Sequence, residues 1–370
     1  MTRLARLYIQ GLRNITEADF PPSPHFNLLV GENGSGKTSV LEAIYMLGTG
    51  RSFRGHLQRP VIQENSPLCA VFGELEAGVS LGVQRGRQGV QSLKIGGVQA
   101  ESASQLSQAL PLLLINGDTF AILEGSPSMR RRYLDWGVFH VKHDFVGHWR
   151  GARQALKQRN QLLRLNVGAA ELAPWSQALA LHAEAMHFQR AEYFGLLQEH
   201  VCPLIVEFLG DELAGRFHME YLAGWDTDAE LAPQLLRSVV RDKQYGHTTL
   251  GPHRAELKLR LGGQDASAVL SRGQMKLLIC ALRLGQASLL KQLLGIGCVL
   301  LIDDLPAELD SANRAKVGAI LHQLQLQTFM TAIEAEALLP ALRGANEEIA
   351  PSLEMFHVKR GKIDPQNQAN

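Results

Sequence analysis

The sequence predicts an α/β fold in which a strand-rich domain, built from both ends of the chain, is interrupted by a helical lobe. Three observations lead there. A glycine-rich turn, Gly31-Glu-Asn-Gly-Ser-Gly-Lys37-Thr38, joins an apolar strand to a helical stretch. A second, fully apolar run ends in Asp303 and Asp304. Between them, from 127 to 245, glycine thins out and Leu, Ala, Gln, His and Arg dominate.

Residues 1–100 read as short strands at 4–9, 26–30, 70–76, 80–84 and 92–95, punctuated by Gly78, Gly86, Gly96 and Gly97. A further buried strand is expected at 112–115. In the middle block Leu179, Ala183, Met186, Tyr193 and Leu197 recur at helical spacing, with Arg190 in the one polar gap. After 246 strands return at 256–261, 298–302, 328–330 and 353–358, and the polar stretch from Lys359 reads as frayed. The implied boundaries are 1–120 with 246–370 for the strand-rich domain, and 121–245 for the helical lobe.

Composition bounds the function. A chain of 370 residues has room for two or three domains, and a 45% hydrophobic content excludes wholesale disorder. No uninterrupted apolar run reaches the roughly 18 residues of a membrane span, and the first residues lack the apolar core of a secretory signal. Cys69, Cys202, Cys280 and Cys298 lie far apart, which argues against a disulfide framework and a zinc site. His140/His143, His182/His187 and His247/His253 bring no four-ligand spacing with them, so no metal centre beyond Mg²⁺ is expected. With 37 basic against 36 acidic side chains, a polyanionic partner must meet a local patch.

The turn at 31–38 fits the pattern GxxxxGK[ST]. Its glycines let backbone N–H groups approach phosphates, and the helix that follows adds the partial positive charge of its N-terminus. Lys37 is expected to reach the β- and γ-phosphates of ATP, and the Thr38 hydroxyl to ligate Mg²⁺. Asp303 would complete the metal site, while Asp304 would orient or deprotonate the attacking water. The segment Leu270-Ser-Arg-Gly-Gln274 opens another amphipathic helix and offers a second anion site through Ser271, Gly273 and Gln274. One γ-phosphate cannot usefully fill both sites in a compact subunit. Two subunits arranged head to tail, each lidding the other's nucleotide, resolve the conflict.

That order of motifs resembles the ABC-type ATPases of the SMC superfamily and, within it, the RecF family. The similarity is carried by GENGSGKTS (31–39), GRSFR (50–54), EGSPSMRRRYLDW (124–136), LKQRNQLL (156–163), GPHRAEL (251–257), LSRGQMK (270–276), LLIDDLPAELD (300–310) and FHVKRGKI (356–363). The resemblance implies an ABC-type ATPase head of mixed sheets with an inserted helical lobe. It also implies a cytoplasmic, weak, DNA-stimulated ATPase of recombinational repair and replication-fork maintenance, with a link to the SOS response. Such a protein would form a homodimer on ATP, bind double-stranded, gapped and junction DNA, and assist RecA loading with RecR and RecO. Carried over residue by residue, Gly31, Gly34, Gly36, Lys37, Thr38 and Ser39 hold the nucleotide in cis. Asn33 approaches the γ-phosphate, and Asp303 with Asp304 is the Walker B pair. Ser271, Gly273 and Gln274 form the trans signature, and Asp310 is the acid that crosses the dimer seam.

Departures from the wider pattern accompany these matches. Arg272 stands where glycine is usual, Ala307 where serine is, and Thr331 where a switch histidine is. Asn116 lies near the position of a missing Q-loop glutamine. Slow hydrolysis is the expected consequence. The runner-up function, a nucleotide-binding subunit of an ABC transporter, would ordinarily keep that glutamine and histidine and carry a much smaller insertion. Long-armed chromosome proteins are excluded by an insertion of ~115 residues at about 1.5 Å per residue.

Between 128 and 164 stand Arg130, Arg131, Arg132, Lys142, Arg150, Arg153, Lys157, Arg159 and Arg164 against Asp135 and Asp144, a basic excess suited to a phosphate backbone. Arg130–Arg132 are assigned to docking the helical lobe on the ATPase domain, and Arg150, Arg153, Lys157 and Arg164 to DNA. Arg51 and Arg54 are candidates for nucleotide or DNA. The roles of His253, Arg254 and Arg272 are left open.

Overall fold

The computed structural model describes residues 2–55, 61–304, 309–343 and 352–365. The chain forms two compact units, Met1–Thr119 with Cys280–Asn370, and Phe120–Ile279. In chain order the first unit opens with β1 (Leu4–Leu12), β2 (Ile15–Phe20), β3 (Phe26–Val30) and α1 (Lys37–Thr49). It continues with β4 (Leu68–Leu75), β5 (Ser80–Gly86), β6 (Gly89–Ile95), β7 (Val98–Gln99), α2 (Ala103–Ala109) and β8 (Leu112–Ile115). The second unit holds α3 (Ala121–Glu124), α4 (Pro127–Val141), α5 (Phe145–Arg164), α6 (Ala169–Leu209), α7 (Asp211–Arg216) and β9 (Phe217–Leu222). It ends with α8 (Leu231–Arg237), α9 (Val239–Tyr245), β10 (Glu256–Leu261), β11 (Gln264–Asp265) and α10 (Ala266–Val269). Helix α11 (Arg272–Leu294) begins in the second unit and ends in the first. There it is followed by β12 (Val299–Ile302), α12 (Ser311–Leu324), β13 (Thr328–Ala332), α13 (Leu339–Arg343), β14 (Leu353–Lys359) and β15 (Lys362–Pro365).

The first unit has two sheets. One, in the order β2-β1-β4-β5-β6-β7, is antiparallel and alternates buried with exposed side chains, as a sheet with one wet face does. The other runs β15-β14-β3-β13-β12-β8 and is parallel from β14 to β8. Its strands β3, β12 and β13 are buried along their whole length, which explains why β12 is wholly apolar and why β3 and β13 admit only Asn27, Thr328 and Thr331 as polar residues. Helix α1 packs on β1, β4, β5 and β13, and its Val40, Leu41, Ile44 and Leu47 join one core with Leu7, Ile9, Val71, Leu301 and Phe329. Parallel pairing brings the carboxyl ends of β3, β12 and β13 to one edge, with Thr331 beside Leu29 and Met330 beside Ile302. Open α/β sheets bind their ligands outside such an edge.

In the second unit α5 lies along α6, and β9, β10 and β11 make a small antiparallel sheet. The apolar stripe Leu179, Ala183, Met186, Tyr193 and Leu197 is buried, and so is Arg190 in its polar gap. Arg190 is paired with Asp135 at 2.7 Å and donates to Pro252 O. The fully buried Arg159 pairs with Asp242 at 2.8 Å and also donates to Ser176, Thr248 and Leu235 O.

Several elements differ from expectation. Strand β2 had no strong sequence signal, because Thr16-Glu-Ala-Asp19 is polar on its exposed face. The block 127–245 contains β9, which pairs with β10, and the second unit runs from Phe120 to Ile279. The stretch after Lys359 is not frayed through Pro365: β15 pairs with β14 through a turn at Arg360-Gly361, both with positive φ. Helix α11 is, by length and composition, apolar enough to cross a membrane, yet 67% of its most apolar window is buried in the protein, as in a core helix.

Candidate functional site

The turn between β3 and α1 lies at the carboxyl edge of the parallel sheet. Gly36 has φ +121°, a conformation closed to residues with a Cβ, and this lets the chain swing from the loop into the helix at Lys37. No side chain caps the first turn of α1, which leaves its leading N–H groups for an anion. Lys37 Nζ folds back to donate to Gly31 O at 2.6 Å and Glu32 O at 2.9 Å. Burial lowers the Lys37 ammonium pKa, and Asp304 and Asp303 partly hold it up.

Gly34, Gly36, Asn33, Lys37, Thr38, Ser39, Asp303, Asp304 and Thr331 line one cavity of about 550 Å³, which Arg13, Asn14, Arg54, Ile62 and Glu64 extend. At its floor Thr38 Oγ1 donates to Asp303 Oδ1 at 3.0 Å, and Thr331 Oγ1 donates to the same oxygen at 2.7 Å. The Asp304 backbone N–H donates to Thr331 Oγ1 at 2.8 Å. A hydroxyl and a carboxylate oxygen at hydrogen-bonding distance are the hard donors Mg²⁺ prefers, and an ammonium beside them suits phosphate oxygens. The residues present therefore fit a nucleoside triphosphate with its metal.

Two supports of this loop were not read from the sequence. Asn14, in the β1–β2 turn, donates through Nδ2 to Gly34 O at 3.2 Å and Ser35 O at 2.9 Å, and Ser39 Oγ donates to Asn14 Oδ1 at 3.1 Å. From the other side Gly361 N–H donates to Ser35 O at 2.7 Å. A Cβ on Gly361 would lie 2.0 Å from Asn14 O, so FHVKRGKI ends in a glycine turn for a steric reason. The Arg13-Asn14 turn between two strands was the available signal. Beneath α1, Arg13 forms a two-pronged ion pair with the fully buried Glu42.

The other candidates lie elsewhere. Gly31 opens the loop without lining the cavity, and Arg51 is exposed beyond α1. Asp310 caps α12, accepting from Asn313 N at 2.8 Å. Ala307 lies outside the described residues. Asn116 sits in the turn after β8, where its N–H donates to Thr119 Oγ1 and its Oδ1 accepts from that hydroxyl. Ser271, Arg272 and Gly273 form an exposed helix start in the second unit. Ser271 and Gln274 make a reciprocal cap, with Ser271 N donating to Gln274 Oε1 at 2.9 Å and Gln274 N to Ser271 Oγ at 3.3 Å. Arg272 pairs with Glu124 at 2.9 Å and stacks over Phe120.

The basic run divides. Arg150, Arg153, Lys157 and Arg164 are exposed on α5 at spacings that share a helix face. Arg159 leaves the patch, being buried against Asp242. Lys142 pairs with Glu192. Arg130 pairs with Glu256 at 2.7 Å, and Arg131 donates to Ala255 O at 2.8 Å. These partners sit within the second unit, where Arg130 and Arg131 pin α4 to the start of β10. The same contacts, with Asp135–Arg190–Pro252, join the SPSMRRRYLD and GPHR segments. His253 Nε2 is 2.9 Å from Thr248 O, and burial pushes the ring's pKa down to about 4.

Fold and phosphate loop together define an ATPase head of the ABC/SMC type. Residues 3–347 match the family model described as the RecF/RecN/SMC N terminal domain. The fold is similar to that of a RecF–ATP structure (TM-score 0.84, 22% identity, 99% of this chain and 98% of that one). It is also similar to an SMC head bound to the C-winged helix domain of ScpA (TM-score 0.56, 14% identity, 99% and 98%). A protein of Pseudomonas syringae pv. tomato named "DNA replication and repair protein RecF" is 44% identical over 97% of both chains. The chain belongs to the RecF family.

Proposed function

We propose that this chain is an ATP-dependent DNA-binding protein of recombinational repair and replication-fork maintenance, working in the cytoplasm as a slow ATPase switch. The observation that carries the reading is the Thr38–Asp303–Thr331 hydrogen-bond chain at the floor of a glycine-lined cavity entered by Lys37. Asn33, Gly34, Gly36 and Ser39 form the cradle at the end of a loop that Gly31 opens, and Lys37 neutralises the β/γ-phosphates. Thr38 and Asp303 would hold Mg²⁺, which would supply positive charge to the phosphate oxygens. Asp304 orients a water toward the γ-phosphorus and takes up its proton as the bond to the ADP oxygen breaks.

Ser271, Gly273, Gln274 and Asp310 act across a head-to-tail homodimer, the exposed first turn of α11 meeting the partner's phosphate. Ser271 and Gln274 hydrogen-bond each other's backbone N–H in the single chain, and that cap keeps the turn ordered before assembly. The exposed face of Arg150, Arg153, Lys157 and Arg164, with Arg51 and Arg54 as further candidates, contacts the backbone of double-stranded, gapped or junction DNA. RecR and RecO are the partners through which RecA loading is assisted. The 44% identity to a RecF protein over nearly all of both chains weighs against the transporter-subunit reading.

Light scattering and DNA binding with ATP under non-hydrolysing conditions test this reading, using wild type, Lys37→Arg and Ser271→Arg. Wild type should double in mass and bind DNA with a steep salt dependence. Ser271→Arg should bind ATP yet stay monomeric. An unchanged wild-type mass together with ATP-independent DNA binding would refute the switch.

A further inference from the structure

Thr331, the penultimate residue of β13, is 1% exposed. Its single hydroxyl donates to Asp303 Oδ1 at 2.7 Å and accepts the backbone N–H of Asp304 at 2.8 Å. A hydroxyl has one proton and two lone pairs, so both bonds form at once. Asp304 has φ +57°, a left-handed conformation unfavourable for a residue with a Cβ, and it is exposed two residues beyond the fully buried β12. A bent backbone at that point needs a partner for its N–H, and Thr331 supplies it. Thr38 shares Asp303 Oδ1 with Thr331. In the proposed site the Thr38 oxygen turns to the metal, which leaves Thr331 as the hydroxyl holding Asp303 Oδ1.

We propose that Thr331 is the positioning residue of the acidic pair. Through Asp303 Oδ1 it fixes the rotamer of the metal-side carboxylate, and through the Asp304 N–H it fixes the backbone from which the water-side carboxylate projects. The proposal rests on the cavity being an ATP-hydrolysing site. Valine has the shape of threonine without its donor or acceptor, so Thr331→Val frees Asp303 to turn and leaves the Asp304 N–H without its partner. Serine keeps the hydroxyl.

The test is steady-state hydrolysis by the full chain, titrated with Mg²⁺, beside equilibrium ATP binding, for wild type, Thr331→Val and Thr331→Ser. Thr331→Val should bind ATP within roughly threefold of wild type while kcat falls about tenfold or more, with half-saturation moving to higher Mg²⁺. Thr331→Ser should recover most of the rate. Thr331→Ala carries the same expectation as Thr331→Val, so early melting of the valine variant does not spare the idea. Wild-type kcat and Mg²⁺ dependence in a folded hydroxyl-deleted variant would overturn it, as would a serine variant as impaired as valine. A wild-type chain that binds ATP without hydrolysing it, or fails to bind it, would instead bring down the ATPase reading itself.

Discussion

Removing the Asn14 side chain should loosen the phosphate loop from behind. Three hydrogen bonds at 2.9–3.2 Å tie this amide to Gly34 O, Ser35 O and Ser39 Oγ. At about 0.5–1.5 kcal/mol net each, and discounted because the group is only half-buried, their loss in Asn14→Ala amounts to about 1–2 kcal/mol. Part of that order must then be restored by the ligand, so ATP affinity should fall roughly tenfold. Asn14→Asp should be worse. It sets a carboxylate oxygen against the Gly34 and Ser35 carbonyl oxygens and adds a negative charge behind a site built for phosphates. Isothermal titration calorimetry with ATP measures both variants, and thermal melting controls for global damage, which should be a few degrees at most. If Asn14→Ala binds ATP as wild type does, or Asn14→Asp binds more tightly, the brace is not what orders the loop.

Gly36→Ala should abolish ATP binding in a chain that still folds, because φ is +121° there and the added Cβ would stand 3.1 Å from the Asn14 amide; calorimetry that finds wild-type affinity contradicts this. Arg159→Met should destabilise the second unit by about 3–5 kcal/mol, since it strands the fully buried Asp242 without its counter-ion, and urea unfolding reads the loss. Burial holds both His140 and His253 down to about 4, so both stay neutral in the folded protein while the unfolded chain protonates them below about 6.5. Their contribution is thus complete above pH 6.5 and lost as pH falls toward 4, at about 1.4 kcal/mol per pH unit for each histidine. Urea unfolding at pH 7 and pH 5 should show a smaller difference in His140→Asn than in wild type, and equal differences would count against the burial argument.

The phosphate loop was legible because its chemistry is local: glycines, lysine and threonine act where they stand in the chain. The acidic strand was legible for a similar reason, since a strand buried on both faces must be apolar until it ends. Asn14 and Gly361 were not legible, because their work is done across 20 residues or more by backbone carbonyls that leave no trace in composition. The basic run between 128 and 164 was ambiguous in the same way. Arg130, Arg131 and Arg159 are set apart from the run by carboxylates at 242 and 256 and a carbonyl at 255, all remote in sequence. Helical spacing did mark Arg190 as the odd member of a buried stripe, but spacing cannot supply its partner. That partner, Asp135, and the Pro252 carbonyl tie the SPSMRRRYLD and GPHR segments together: one carries the acid and the other the carbonyl that a single buried guanidinium requires. A charged residue in an apolar stripe is therefore best read as a demand for a counter-charge elsewhere in the chain, and the family-specific motifs are where to look for it.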